Sequence, residues 1–302
     1  MIKQKIFRRF HIWLQASRLP AIFFIALPLA LGFLSEPIEN LHFSSLYLFV
    51  LVLYAFFLEF FIVFANDYAD EKTDALNQSW TKFSGGSRVL AEKLLSKKEL
   101  KKASFLMGTC VFLCSIFFAI HQGKLSLFFL GQSGIFILWA YSYPPLKLSY
   151  RGGGEILQVL GLSWVLPIYS RLISGKIIDQ NFIFFLFLLS FSHFACAIST
   201  ALPDETSDRI SEKKTLVVSL KKDISVILII LSQALSYMGF ITFLLITKSF
   251  TYSLYLLLIF LIFTSCGFYA HKKNRKELSV FCFIFLTLNF LASKIIFQVL
   301  KH

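Results

Sequence analysis

From Leu46 to Ala65 the only charged residue is Glu59, and the same pattern recurs along the whole chain. Apolar runs of about 18 or more residues are long enough to cross a bilayer as helices. Nine such runs are read at roughly 14–34, 46–66, 103–121, 125–143, 155–173, 181–201, 224–246, 250–270 and 278–299. Only helices and closed barrels satisfy their backbone in lipid, and runs of this length select helices. The expectation is an all-α polytopic membrane protein, with residues 1–302 forming one integral-membrane domain.

Composition narrows the function. The chain is 57% hydrophobic and carries a net charge of +13. That charge does not point to nucleic acid, because the basic residues are dispersed over short links between the spans. Nothing calls for an obligate protein partner either; the expected surroundings are a lipid bilayer. The five cysteines lie inside apolar runs and form neither a disulfide framework nor a CxxC metal site. The basic N-terminus is read as part of a retained first helix, since no small-residue cleavage site closes it.

Alternate links, counted from the N-terminus, hold 23 of the 30 Lys and Arg residues; the opposite side holds 5, and Arg18 and Lys294 lie within spans. The positive-inside rule then puts the N-terminus and the two long links, about 67–102 and 202–223, in the cytoplasm. A bacterial plasma (inner) membrane is the expected location. The link at about 35–45 carries Glu36 and Glu39 without any Lys or Arg.

Both long links open on acids. Asp67, Asp70 and Asp74 are spaced i, i+3, i+7, one face of a helix, with Asn66 beside them. Asp204 and Asp208 are spaced i, i+4. Like charges on one stripe repel, and a hard divalent cation relieves the repulsion. Mg²⁺ takes oxygen ligands, keeps several waters, and is often held by a few carboxylates plus substrate phosphates. Two carboxylate faces on one side of the membrane could hold more than one Mg²⁺ with a diphosphate between them. Arg88, Lys147, Arg151, Lys213 and Lys214 lie in the same layer, suited to phosphate oxygens. The Gly85-Gly86 and Gly152-Gly153-Gly154 clusters follow no strand, so they are read as turns or places of close backbone approach rather than nucleotide motifs.

Asn66-Asp67-x-x-Asp70-x-x-x-Asp74 and Asp204-x-x-x-Asp208 resemble the two signatures of the UbiA superfamily of intramembrane prenyltransferases, and the nine-span count is similar to that fold. The resemblance implies helices around a central cavity. It also implies that Asn66, Asp67, Asp70, Asp74, Asp204 and Asp208 hold two Mg²⁺ ions that bind a prenyl diphosphate, with Asp67, Asp70, Asp204 and Asp208 central to catalysis. Tyr143 and Lys147 are similar to the family's Tyr-x-x-x-Lys element near the diphosphate. Arg18 matches a basic residue near the substrate headgroup. The runs Pro144-Pro145-Leu146-Lys147-Leu148-Ser149-Tyr150-Arg151 and Lys214-Thr215-Leu216 resemble the menaquinone branch, which prenylates 1,4-dihydroxy-2-naphthoate; Glu212-Lys213-Lys214 departs from it. 4-Hydroxybenzoate and other aromatic acceptors remain alternatives.

The implied reaction draws diphosphate from an allylic carbon, which an electron-rich ring attacks; aromatic faces can stabilise the cation. Ionisable groups inside spans are functional candidates. Glu59 lies seven residues before Asn66 and His193 eleven before Asp204, so either could contact the acceptor, or simply tie helices together. From another class, an ion or solute transporter would hold its charged site near mid-membrane; here the acids gather at one end.

Overall fold

A computed structural model describes residues 2–34, 45–78 and 80–300. Glu36, Glu39 and Lys301 lie outside the described residues. Among the described residues there is no β-strand, and nine helical segments are long and apolar enough to cross a membrane. They fall at the nine expected places, with two departures that shape the site.

The first span is broken. Helices α1 (Ile2–Ser17) and α2 (Ile22–Phe33) are separated by Arg18, which takes left-handed angles (φ 44°, ψ 44°), and by a short 3₁₀ turn at Leu19–Ala21. Pro20 has no N–H to donate, so a break just before it costs the ladder little. The second span overruns. Helix α3 (Ser45–Leu76) continues ten residues past the expected end, and its last turns carry the acids. Side-chain partners described below hold that extension.

Helices α4 (Lys97–Gln122) and α5 (Leu125–Ser142) pack on α3. Ser96 caps α4 through a reciprocal capping box with Glu99. The fifth span starts as α7 (Gly154–Val159), after the single turn α6 (Leu148–Arg151), widens into a π-helical stretch at Leu160–Val165, and finishes as α8 (Leu166–Ile173). A Cβ on Gly32 of α2 would stand 2.0 Å from the Pro167 carbonyl oxygen, so a missing side chain lets α2 and α8 meet backbone to backbone.

Helix α9 (Gln180–Ala201) leads through α10 (Glu205–Ile210) and α11 (Leu216–Leu220) to α12 (Lys222–Ile246), α13 (Phe250–Lys272) and α14 (Lys276–Leu300). Two cores result. One gathers Leu29, Tyr54, Leu58, Phe118 and Tyr169 from α2, α3, α4 and α8; the other gathers Leu189, Ile229, Phe240, Phe283 and Phe290 from α9, α12 and α14. Outward-facing Phe105, Ile120, Phe129 and Leu254 stay exposed, as a lipid-facing surface requires. A closed polar ring joins α9, α12 and α14: Ser192 Oγ donates to Gln233 Oε1 (3.0 Å), Gln233 Nε2 to Thr287 Oγ1 (2.9 Å), and Thr287 Oγ1 to the Ser192 carbonyl (2.9 Å). Such fully satisfied bonds tie helices where no water is at hand.

Candidate active site

Between the two cores lies a cavity of about 1010 Å³, lined by residues of α2, α3, α5, α7, the π-helical stretch, α9 and α14 and roofed by the links at 77–92 and 204–215. Its lower wall is mostly apolar, with Phe24, Ile62, Leu138, Leu162, Ile284 and Phe285 around Glu59 and His193; its roof is where the acids converge.

The end of α3 supplies the first face. Asp67 and Asp70 are buried, Asp74 is half-buried, and Lys72 is exposed. Asp67 Oδ2 accepts from the Ser87 amide (3.1 Å) and from the Ser87 hydroxyl, while its Oδ1 is buried with no partner. Asp70 is fully engaged. Its Oδ1 accepts from Tyr150 Oη (2.9 Å), and its Oδ2 from Lys213 Nζ (2.8 Å) and Asn66 Nδ2 (3.3 Å). Thr73 Oγ1 stands 2.7 Å from the same Tyr150 hydroxyl, and Asn66 Nδ2 also reaches Ser142 Oγ (3.1 Å).

A tight turn brings the 77–92 link back over these acids. Gly85 (φ 83°) and Gly86 (φ 72°) both adopt left-handed angles. A Cβ on Gly86 would fall 2.1 Å from Asp74 Oδ2 and 3.3 Å from Asp67 Oδ1, so the Gly86 backbone fills the space between the two carboxylates. Arg88 donates to the carbonyls of Asp74 and Asn77 (3.2 Å to Asn77), closing the C-terminal end of α3 rather than standing free in the cavity.

The second face comes from the link after α9. Asp204 Oδ1 accepts from Asn77 Nδ2 (2.7 Å), joining the two acid-bearing links directly. Burial raises the Asp204 carboxyl above its ordinary range, against hydrogen bonds from Asn77 and Ser84. Burial pushes Asp208 up to about 7; Lys213 opposes the rise, and Asp204, Asp70 and Glu155 add to it. Burial disfavours the Lys213 ammonium, yet Asp70, Tyr141, Tyr150 and Asp208 outweigh that and hold it above the usual lysine range. Glu155, buried at the start of α7, accepts from the Leu216 amide (2.8 Å) and anchors the far end of this link.

The candidates named from sequence therefore separate. Asn66, Asp70, Asp74, Arg88, Asp204, Asp208 and Lys213 line the roof, Arg18 the side, and Glu59 and His193 the lower cavity. Tyr143 donates to the Ala65 carbonyl (2.7 Å), Lys147 Nζ lies 3.6 Å over the Tyr150 ring, and Lys214 is exposed; none of the three lines the cavity. Sequence reasoning missed Tyr150, Ser87, Asn77 and Glu155. Tyr150 follows Lys147 by three residues, within the run Pro144–Arg151 that carries the family resemblance, and that placement was its signal.

The donor set suits a hard divalent cation. The acids and Asn66 offer oxygen donors, one buried carboxylate oxygen is without a partner, and the missing side chain at Gly86 keeps a Cβ from crowding Asp67 and Asp74. Among the described residues no three acids, histidines or cysteines converge closely enough to enclose a metal alone. Mg²⁺ would have to take its remaining ligands from water and phosphate.

Solved structures share the arrangement of helices. A UbiA homolog from Archaeoglobus fulgidus bound to GPP and Mg²⁺ is 17% identical, with a TM-score of 0.69 over 95% of this chain and 99% of that one. A UbiA homolog from Aeropyrum pernix K1 is 12% identical, with a TM-score of 0.64 over 91% and 96%. A structure of digeranylgeranylglyceryl phosphate synthase is 17% identical, with a TM-score of 0.63 over 96% and 99%. At such identities the likeness is one of fold. No curated protein matches the chain. The sequence model of the UbiA prenyltransferase family, however, matches residues 19–290, a stretch that takes in both acid faces, and the chain belongs to that family.

Proposed function

We propose that this prenyltransferase moves a polyprenyl group from a prenyl diphosphate to an aromatic acceptor, 1,4-dihydroxy-2-naphthoate, in quinone biosynthesis. The observation that carries the reading is the convergence of two acid faces on one roof, above a greasy cavity large enough for both substrates. A transporter would need its charges at mid-membrane. The naphthoate assignment rests on the runs around Lys147 and Thr215 and on the polar atoms deep in the cavity.

Asn66, Asp67, Asp70, Asp74, Asp204 and Asp208 would hold Mg²⁺. When bound, Mg²⁺ neutralises the diphosphate and makes it a better leaving group. Lys213, already at the roof beside Asp70, turns its ammonium to the phosphate oxygens. The allylic C–O bond breaks with its electron pair leaving on diphosphate. A ring carbon of the acceptor supplies the pair for the new C–C bond, and the ring then loses a proton. Tyr150 and Ser87 hold the Asp70 and Asp67 carboxylates in place. Arg18, on the cavity side, meets the acceptor carboxylate. The apolar lower wall keeps water from the cation, and the tail extends into lipid. The Lys/Arg distribution supports a roof facing the cytoplasm, and a bacterial plasma membrane is the proposed location.

Membranes containing the protein, given labelled polyprenyl diphosphate and Mg²⁺, are expected to form lipid-soluble product with dihydroxynaphthoate in preference to 4-hydroxybenzoate. Product with 4-hydroxybenzoate alone would reassign the acceptor. Product that persists in EDTA, or in Asp67→Ala and Asp204→Ala, would overturn the metal mechanism.

A further inference from the structure

Two polar atoms of the cavity have no task in the diphosphate chemistry. Glu59 is 3% exposed and His193 is 1% exposed, and both line the cavity. Glu59 Oε1 and His193 Nε2 are buried without a hydrogen-bond partner. Buried polar atoms in native proteins nearly always have partners, so two orphans in one cavity point to a ligand that supplies them. Both lie deeper than the acids: Glu59 is eight residues below Asp67 on α3, about 12 Å at 1.5 Å per residue, and His193 is eight residues below the end of α9.

The histidine is held in a fixed orientation. Its Nδ1 stands 2.8 Å from Ser163 Oγ, and Ser163 is fully buried. Ser163 belongs to the π-helical stretch Leu160–Val165. Such single-turn widenings cost hydrogen-bond geometry and recur at functional sites. With Nδ1 committed, Nε2 is the ring atom left for the cavity. On the opposite wall, Glu59 Oε1 is buried without a hydrogen-bond partner and remains an open acceptor.

We propose that Glu59 and His193 form the hydroxyl-reading floor of the acceptor site. On this reading, which rests on prenyl transfer to an aromatic acceptor, one phenolic hydroxyl donates to Glu59 Oε1 and a second pairs with His193 Nε2. A dihydroxylated aromatic ring therefore stands with its nucleophilic edge toward the roof, and Glu59 raises electron density in the ring by accepting from the hydroxyl. Ser163 acts through His193 as a positioning residue.

The test is equilibrium binding of 1,4-dihydroxy-2-naphthoate to the full chain in nanodiscs, for wild type and for Glu59→Gln, Glu59→Leu, His193→Gln and His193→Phe. Binding of inorganic diphosphate with Mg²⁺, measured on the same samples, reports that the roof is folded. The expected result is acceptor binding weakened about 10- to 100-fold in the Leu and Phe variants, with diphosphate binding unchanged. Gln at either position should recover part of the loss. In turnover the acceptor KM should rise and the prenyl diphosphate KM stay level. A naphthoate lacking one hydroxyl should bind wild type poorly, and bind Glu59→Leu no worse than the parent acceptor does. Acceptor binding unchanged in Glu59→Leu and His193→Phe overturns the proposal, as does absence of acceptor binding to wild type. Binding that depends on both residues without any turnover would sustain the floor and instead sink the transferase assignment of the acceptor.

Discussion

Replacing Gly86 with alanine separates backbone strain from damage to the site. The substitution forces a residue with a Cβ into φ 72°, which costs about 1–2 kcal/mol. It also puts that Cβ 2.1 Å from Asp74 Oδ2. The clashing atom is the end of a side chain, so the fold can yield by swinging the carboxylate away, and the penalty appears in ligand binding rather than as a large loss of stability. Gly123 provides the control. It has φ 62°, and a Cβ there would meet nothing within 4 Å, so Gly123→Ala carries the strain alone. Both variants should therefore lose a similar amount of thermal stability in detergent with EDTA. Only Gly86→Ala should lose Mg²⁺–diphosphate binding, by about tenfold or more, the equivalent of displacing one charge-assisted contact. Calorimetric titration of inorganic diphosphate in excess Mg²⁺ reads the difference. If Gly86→Ala binds like wild type, the glycine cradle is not part of the site. If Gly123→Ala loses binding equally, general loosening rather than local geometry explains the result.

Three further outcomes follow from the roof. Tyr150→Phe removes one of the hydrogen bonds to Asp70 and should cost about 1–2 kcal/mol, seen as a lower melting temperature in EDTA and a higher Mg²⁺ requirement in turnover. Lys213→Met leaves the buried Asp70 carboxylate without its cation, a change worth about 3–5 kcal/mol; excess Mg²⁺ should restore the melting temperature, while diphosphate affinity stays low. The acids also set a pH signature. Asp208 is held up to about 7 in the folded chain, mainly by burial, so its contribution to stability is complete below its unfolded value near 4 and is lost as pH rises through 7. Metal-free protein should melt at lower temperature at pH 8 than at pH 5, Asp208→Asn should weaken that trend while Asp74, which burial also raises to about 7, keeps part of it, and Mg²⁺ should reverse it.

Much of this architecture is legible in local periodicity. Span positions follow from apolar run length, and the i, i+3, i+7 spacing of Asp67, Asp70 and Asp74 places them together because a helix has one geometry. The rest depends on contacts between residues far apart in sequence. Lys213 and Asp70 are 143 residues apart, and Tyr150 and Asp70 are 80 apart. No periodicity brings them together; the packing of α3, α5 and α9 does. The choice between Tyr143 and Tyr150 shows the same point. Both lie near Lys147, but the turn after α5 directs Tyr143 to a backbone carbonyl and Tyr150 to the acid. The helical face through Asp74 is legible from the spacing, but the apolar run ends at about residue 66, and the buried partners that hold the last ten residues of α3 come from distant links. Likewise Glu59 and His193 stood out as charged or polar residues in apolar runs, whereas their orphaned atoms became visible only once the surrounding helices were in place.

Helix α3 runs 32 residues without a break, about 48 Å at 1.5 Å per residue, against a hydrocarbon core of about 30 Å. One rigid rod thus carries both Glu59 and the acids, and the height between them is set by covalent geometry rather than by loop packing. Insertion of a single residue between Glu59 and Asn66 would rotate everything above it by about 100° and turn the acids away from the cavity that Glu59 still faces. On the proposed reading, the length of this short stretch is constrained by chemistry at both of its ends, a constraint the flanking links do not share.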